Sequence, residues 1–260
     1  MVLYDEEKAK EIFKEWVKAL RGHPLTGVQL PQLGSAGLVA PMQYNKILAT
    51  RNFARGRFDE FEAVSGETLR EKHLIRNKGC ITCPIQCGRV VEVDGKEVKG
   101  PELETLGLLG PNLENSNLEL ILEWNYLLDE LGMDTISAGS TVGFAMELNE
   151  KGLWDNGLAF GEVDNLADVF RQIACREGIG DLLADGTKRL SERFGGREFA
   201  IHSKGLELSA YEPRRSVGMG LGYATSNRGG CHLNGGYLVL LEGLALNIDP
   251  LTTNSKAALT

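Results

Sequence analysis

Apolar residues recur at helical spacing through most of this chain. Ile12, Phe13, Trp16, Val17 and Leu20 fall on one side of a 3.6-residue repeat. Asp5 is placed to cap that segment, and Gly22 with Pro24 stops it, so a helix is expected over 5–20. A loop punctuated by Gly and Pro (24–34) leads to a short helix expected over 41–50. The charged stretch 51–67 reads as loop-like, and a further short helix leads toward residue 80. Over 89–99 the period changes to two. RVVEVDGKEVK alternates apolar and polar residues around Asp94-Gly95, a pair suited to a tight hairpin turn.

Beyond Gly100-Pro101 the helical period returns. Residues 117–131 are apolar nearly all round (Leu118, Ile121, Leu122, Trp124, Leu127, Leu128, Leu131), the mark of a deeply buried helix, capped near Ser116 and Asn117 and stopped at Gly132. Helices over 137–150, 165–176 and 181–194 follow, ended by Gly152, Gly178 and Gly195. Residues 199–208 read as extended, and the glycine-rich tract GMGLGYATSNRGGCHLNGG, from Gly218 to Gly236, has no helical period. The expected fold class is mainly α: multihelical domains with a small β-hairpin near 89–99. A boundary near Gly205 would separate a helical domain (1–205) from the start of a second, truncated helical domain (206–260).

Composition narrows the class. A chain of 260 residues with 42% hydrophobic and 25% charged residues is that of a soluble globular protein of one large or two ordinary domains. It holds no apolar run of about 18 residues, and its first residues lack the apolar region of a signal peptide. A net charge of -8 argues against a nucleic-acid or anionic-membrane partner, which would require a basic face. Five cysteines, an odd number with three clustered, do not form a secreted disulfide framework, so a cytoplasmic location is expected.

The clustered cysteines carry the first chemical signal. GCITCPIQCGR places Cys80, Cys83 and Cys87 in a C-x2-C-x3-C pattern. By spacing alone this is an iron–sulfur site, a structural zinc site completed by His73 or a distant ligand, or three unrelated core cysteines. Three details favour iron. Pro84 follows Cys83 as in ferredoxin-type runs, Arg76, Lys78 and Arg89 flank the loop with positive charge, and no second C-x2-C knuckle exists. For a fourth cysteine ligand the chain offers only Cys175, which reads as a small buried hydrophobe in mid-helix, and Cys231 beside His232.

Other candidates are weaker one by one. In GPELETLGLLGPN, Glu102 and Glu104 are either acids at the positive end of a helix dipole or a carboxylate in apolar surroundings with a raised pKa. In DELGMD, Asp129, Gly132 and Asp134 suit an ordinary helix C-cap with acids around it. His232 lies among glycines that let backbone and a ligand approach closely.

In order along the chain, CITCPIQCGR, GPELETLGLLGPN, LLDELGMDTISAG, EGIGDLLADGTKRL and KGLELSAYEPRRSVGMGLGYATSNRGGCH resemble the tungsten-containing aldehyde:ferredoxin oxidoreductase family, over essentially the whole chain. The resemblance implies a tungsten (or molybdenum) held by two pterins, a 4Fe-4S cluster close by, and oxidation of a small aldehyde to the acid with electrons passed to ferredoxin. By position it makes Cys80, Cys83 and Cys87 cluster ligands and Asp129, Gly132 and Asp134 part of a D-x-x-G-x-D pterin motif. Glu104 and His232 become groups beside the metal that move protons or orient substrate.

The departures from the family pattern are as specific as the matches. The family's N-terminal pterin-binding β domain and its downstream D-x-x-G-x-C stretch, with the fourth cluster cysteine, are not matched before Thr260. Where some members carry E-x-x-H at a metal bridging two subunits, this chain has Glu123-Trp124-Asn125-Tyr126, so that metal is not expected. The chain therefore reads as a fragment that does not assemble the full site alone; the resemblance leaves a homodimer open for the whole protein. Two other readings stand beside this one: an iron–sulfur electron-transfer subunit, and a structural zinc-binding protein.

Overall fold

In the computed structural model, which describes residues 4–234, 236–240, 242, 249, 251 and 252, helix α1 (Glu6–Gly22) starts where its cap residue stands. The Asp5 carboxylate accepts the Lys8 N–H at 2.9 Å. No residue of α1 is buried, and Ile12, Phe13 and Trp16 of its apolar stripe face outward. The expected loop over 24–34 is instead helical: a π-helical turn (Pro24–Gln29) runs into α2 (Leu30–Leu33). Pro24 stands at the start of that turn, where its missing N–H costs nothing. Then come α3 (Val39–Asn45) and, after turns, α4 (Gly66–His73), whose cap Ser65 accepts the Thr68 N–H.

The hairpin forms as its turn residues require. Strands β2 (Gly88–Val93) and β3 (Lys96–Lys99) pair antiparallel, Val90 opposite Lys99 and Val93 opposite Lys96. Asp94 and Gly95 both take positive φ, 49° and 74°, the geometry that matches strand twist across a two-residue turn. A strand the pattern did not announce, β1 (Arg76–Lys78), pairs with the other edge of β2, setting Lys78 opposite Gly88. Residues 79–87, the cysteine loop, are thus closed at their base by a β ladder.

The core is built on three helices. Helix α5 (Leu103–Leu109) buries Leu103, Leu106, Leu108 and Leu109, and α6 (Leu118–Glu130) buries Leu118, Ile121, Leu122, Trp124 and Leu128. Helix α7 (Thr135–Glu150) crosses α5 so closely that a Cβ on Gly139 would stand 2.7 Å from the Leu108 carbonyl oxygen. On the other side of α5, a Cβ on Gly107 would meet that of Ala210 at 2.6 Å, so the segment around Ala210 lies against the same helix. Helix α8 (Leu166–Cys175) sets Phe170 edge-on to Trp124, ring centroids 5.8 Å apart. The chain continues through α9 (Gly180–Leu183), α10 (Gly186–Phe194), the two-stranded β4 (His202–Ser203) and β5 (Leu206–Glu207), α11 (Val217–Thr225) and α12 (Gly236–Val239).

The class is mainly α, as expected, with small antiparallel sheets. Two further local expectations are corrected. Cys175 is exposed at the last residue of α8, because the helix turns left-handed at Arg176 before the residue can be enclosed. The tract from Gly218 is helical at its start: α11 tolerates its glycines because they are contact points. A Cβ on Gly218 would lie 2.5 Å from Glu242 Oε1, whose carboxylate instead accepts the Gly218 N–H. Gly235 of that tract and, in all, 17 of the 55 residues of the expected 206–260 unit lie outside the described residues.

Candidate active site

Glu104 sits in the first turn of α5, and its side chain is 15% exposed. Packing of the Ala210 segment on α5 brings the Ala210 N–H to Glu104 Oε2 at 2.7 Å. Backbone pairing holds that segment in place: the Ala49 N–H donates to Ala210 O, and the Glu212 N–H to Ile47 O. Burial raises the Glu104 pKa to about 7; the charges of Asp134 and Glu102 add to the rise, and the Ala210 N–H opposes it. Of the two readings of this acid, the apolar setting is the one the fold supplies, although Glu104 also occupies the first turn of its helix.

His232 lies across from it, Nε2 3.9 Å from Glu104 Oε1, which is beyond hydrogen-bond length. Burial lowers the His232 pKa, Asp134 raises it and Arg228 lowers it. Near neutral pH the imidazole is therefore uncharged, and the two groups form no ion pair. The close approach expected of the glycines beside it is present: a Cβ on Gly230 would stand 2.5 Å from Leu206 O, and Gly229 takes φ 97°. Tyr211 has its ring centroid 6.4 Å from that of His232, and burial, followed by the charge of Glu104, pushes its phenol well above the ordinary range.

The DELGMD stretch does two jobs. Gly132 takes φ 68° and closes α6, while Asp134 caps the next helix, accepting the Ser137 N–H at 2.8 Å. Asp129 and Asp134 line one cavity of about 180 Å³ together with Glu102, Thr105, Asn125 and Thr135. Asp134 also borders a neighbouring cavity of about 360 Å³ that contains Ser137 and Glu207. Replacing Asp134 by Ala is expected to cost about 1 kcal/mol through the lost cap, whereas Asp134→Asn, a good cap, should keep stability. Urea denaturation of both variants checks this, and an equal loss in the two would overturn the capping role.

The cysteine loop is shaped by left-handed residues, Thr82 at φ 66° and Gln86 at φ 53°, and by a turn in which the Cys83 N–H donates to Cys80 O. Cys80 is exposed; Cys83 and Cys87 are half-buried. Burial pushes the Cys87 thiol up, and the charge of Glu102 adds to that. The loop is stitched to α5 through Gly34 and Ser35. A Cβ on Gly34 would stand 2.6 Å from Cys87 O, and Ser35 Oγ bonds both Glu102 Oε2 and the Leu103 N–H, each at 3.1 Å.

Among the described residues no three His, Cys, Asp or Glu side chains converge on a single ion. His73, considered above as a zinc ligand, has its Nε2 3.4 Å from Glu119 instead. Three thiols on one loop still suit a cluster, which takes each thiolate on a different iron. The cavity suits a pterin, whose ring N–H groups need acceptor-only partners such as Asp129 and Asp134. The structure thus brings Glu102, Glu104, Asp129, Asp134 and His232 into one neighbourhood, with the cysteine loop fastened to its edge. Sequence reasoning missed Tyr211, Thr105, Asn125 and the capping role of Asp134. Only the last had a local signal, an Asp directly before a helical repeat.

Comparison with known proteins decides the family. The family model for aldehyde ferredoxin oxidoreductase, domains 2 and 3, matches residues 11–260. The chain belongs to this family. It is 44% identical over 258 residues to the tungsten-containing aldehyde ferredoxin oxidoreductase of Pyrococcus abyssi, covering 95% of this chain and 42% of that protein. The enzyme of the same name from Thermococcus kodakarensis is 43% identical over 256 residues, with the same coverage. The WOR-like subunit of an aliphatic sulfonate oxidoreductase from Pyrococcus furiosus is 28% identical over 249 residues, covering 88% of this chain and 39% of that protein. The chain thus spans about 42% of the length of the aldehyde ferredoxin oxidoreductases it matches. Among solved structures, the active-site complex BamBC of benzoyl coenzyme A reductase matches in fold, with a TM-score of 0.61 at 24% identity over 76% of this chain and 33% of that one. Among the described residues no helix is long and apolar enough to cross a membrane.

Proposed function

We propose that this chain supplies part of the active site of a tungsten- or molybdenum-pterin oxidoreductase that converts a small aldehyde and water to the carboxylic acid. Two electrons would leave to ferredoxin, and two protons to groups of the protein. The observation that carries the reading is the meeting of three distant parts of the chain: Asp129 and Asp134 share a cavity, and the charge of Asp134 reaches both Glu104 and His232.

Once bound, the bis-pterin metal would supply the two-electron oxidation and a 4Fe-4S cluster the one-electron exit. The chain's own residues do the rest. Asp129 and Asp134 would accept pterin N–H groups, and Gly132, left-handed at φ 68°, turns the backbone between them. Cys80, Cys83 and Cys87 hold the cluster. Glu104, poised near pH 7, takes a proton at Oε1 and releases it, while neutral His232 presents Nε2 toward the same oxygen. Residues 1–205 carry the cysteine loop and the Asp pair, and residues 206–260 bring His232. A fourth cysteine ligand and a second pterin motif are not matched within these 260 residues.

Anaerobic expression tests this, with the chain as it stands and with the longest reading frame that contains it. Iron, sulfide, tungsten and zinc are assayed, together with aldehyde-dependent reduction of ferredoxin. The longer protein is expected to be brown, tungsten-loaded and active, and the 260-residue chain tungsten-free. A colourless, zinc-bearing protein in both preparations would refute the cluster. Tungsten at one equivalent with aldehyde oxidation in the chain alone would refute the division of the site.

A further inference from the structure

The first strand residue after the cysteine loop but one, Arg89, is 3% exposed, yet none of its hydrogen bonds reaches a carboxylate. Its guanidinium donates to the carbonyls of Leu30, Pro31, Gln32 and Gln86 and to Asn77 Oδ1, at 2.9–3.1 Å. All five acceptors are neutral. Its Nε–H, buried as well, has no partner among the described residues. A buried cation without a counter-ion is costly, and carbonyl dipoles offset only part of that cost. The missing anion has an obvious place. Arg89 Nε and Cys87 O both stand within 3.1 Å of the spot a Gly34 Cβ would fill, so the guanidinium flanks the cysteine loop.

An opposite charge also lies beside the loop. Glu102, its side chain 46% exposed, is bonded by Ser35 Oγ, the residue next to Gly34, and lies 4.0 Å from Lys99 Nζ. The flanking bases that looked equivalent in the sequence are not: Arg76 is spent on Glu97 at the exposed sheet edge, and Lys78 is exposed.

We propose that Arg89 is the built-in counter-charge of the cluster held by Cys80, Cys83 and Cys87, and that Arg89 and Glu102, one buried cation opposed by one half-exposed anion, set its reduction potential. This rests on the reading under Proposed function. Reduction adds one electron, and so one negative charge, to an anionic cluster. A nearby cation therefore stabilises the reduced form and raises the potential, and a nearby anion lowers it. The buried charge acts through a low dielectric and is weakly screened, so Arg89 has the larger effect. Arg89 and Glu102 are positioning residues here; neither is a ligand.

The experiment is a dithionite titration of the anaerobically prepared holoenzyme, followed by the electron paramagnetic resonance of the reduced cluster, at low and high salt. Arg89→Gln is expected to shift the reduction equilibrium at least tenfold toward the oxidised form, about 59 mV downward for one electron. Arg89→Lys, which keeps the charge and loses the fork of hydrogen bonds, should stay within about threefold of the native protein. Glu102→Gln should shift the equilibrium the other way, by about threefold, and this shift should shrink as salt rises. A purely structural Arg89 would make Arg89→Lys behave like Arg89→Gln. If Arg89→Gln fails to fold, Glu102→Gln still gives a signed result, and a shift of Arg89→Lys beyond about threefold still overturns the role of the charge. Shifts of the same sign in Arg89→Gln and Glu102→Gln, or no shift in either, overturn the proposal. Native holoenzyme with no iron and sulfide overturns it by a different route, because the cluster itself is then refuted.

Discussion

Replacing Glu104 by Gln should do two things at once: lower aldehyde turnover by roughly 10²- to 10⁴-fold in the loaded enzyme, and flatten the pH dependence of the fold's stability. The first follows from removing a positioned proton carrier. The limb of the pH–rate profile near 7 should vanish with it, since that is where burial has moved this carboxyl. The second follows by linkage. The folded state favours the protonated acid, with a pKa of about 7 against 4.5 for the unexposed-to-burial reference, so this contribution is complete below pH 4.5 and is lost as pH rises through about 7. The full span is about 3 kcal/mol as an upper estimate. Gln keeps an oxygen for the Ala210 N–H and does not titrate. Urea denaturation of both proteins at pH 4.5 and pH 8 checks the claim: the native chain should lose stability relative to the variant at the higher pH. Parallel curves would show that the carboxyl is hydrated, and the proton-carrier role would fall with its basis.

The second large effect is structural. Trp124 is 1% exposed and meets Phe170 edge to face, joining α6 to α8. Trp124→Ala removes the largest fully buried side chain and leaves a cavity between helices that cannot close, because α6 is fixed along its length by Leu118, Ile121, Leu122 and Leu128. The expected loss is about 3–5 kcal/mol, a large part of the 5–15 kcal/mol that holds a typical domain together. Chemical denaturation should show a lowered midpoint with an unchanged slope. A loss below about 1.5 kcal/mol would mean that the helices repack, and that this contact does not hold α6 and α8 together.

Much of the fold was legible in the sequence because its signals are local. Helix α1 announced itself by Asp5 and an apolar repeat, the hairpin by Asp94-Gly95, and α6 by apolar residues on every side. The errors share a cause, namely that a glycine reads the same wherever it stands. In the tract after Gly218 the sequence showed only absent side chains, yet there they make room for Glu242 and let α11 form. Cys175 looked enclosed because its neighbours in the repeat are apolar, but the helix ends at that residue. Helix α1 has a stripe of the kind that usually packs on a core, and nothing in its own period told that the stripe faces outward.

The candidate site divides in the same way. Residue type and spacing by themselves determined that Cys80, Cys83 and Cys87 share one short loop, that Asp129 and Asp134 stand five residues apart around a glycine turn, and that Glu104 opens an apolar helix. These are facts about neighbours in the chain. Only the tertiary structure decided that Glu104 is largely withdrawn from water against Ala210, 106 positions away, that His232 stands opposite it, and that Arg89 alone of the flanking bases is buried, with only neutral acceptors bonded to it. Charge and pKa depend on what has been removed from water and what has replaced it, and that is set by segments distant in sequence, which no local pattern records.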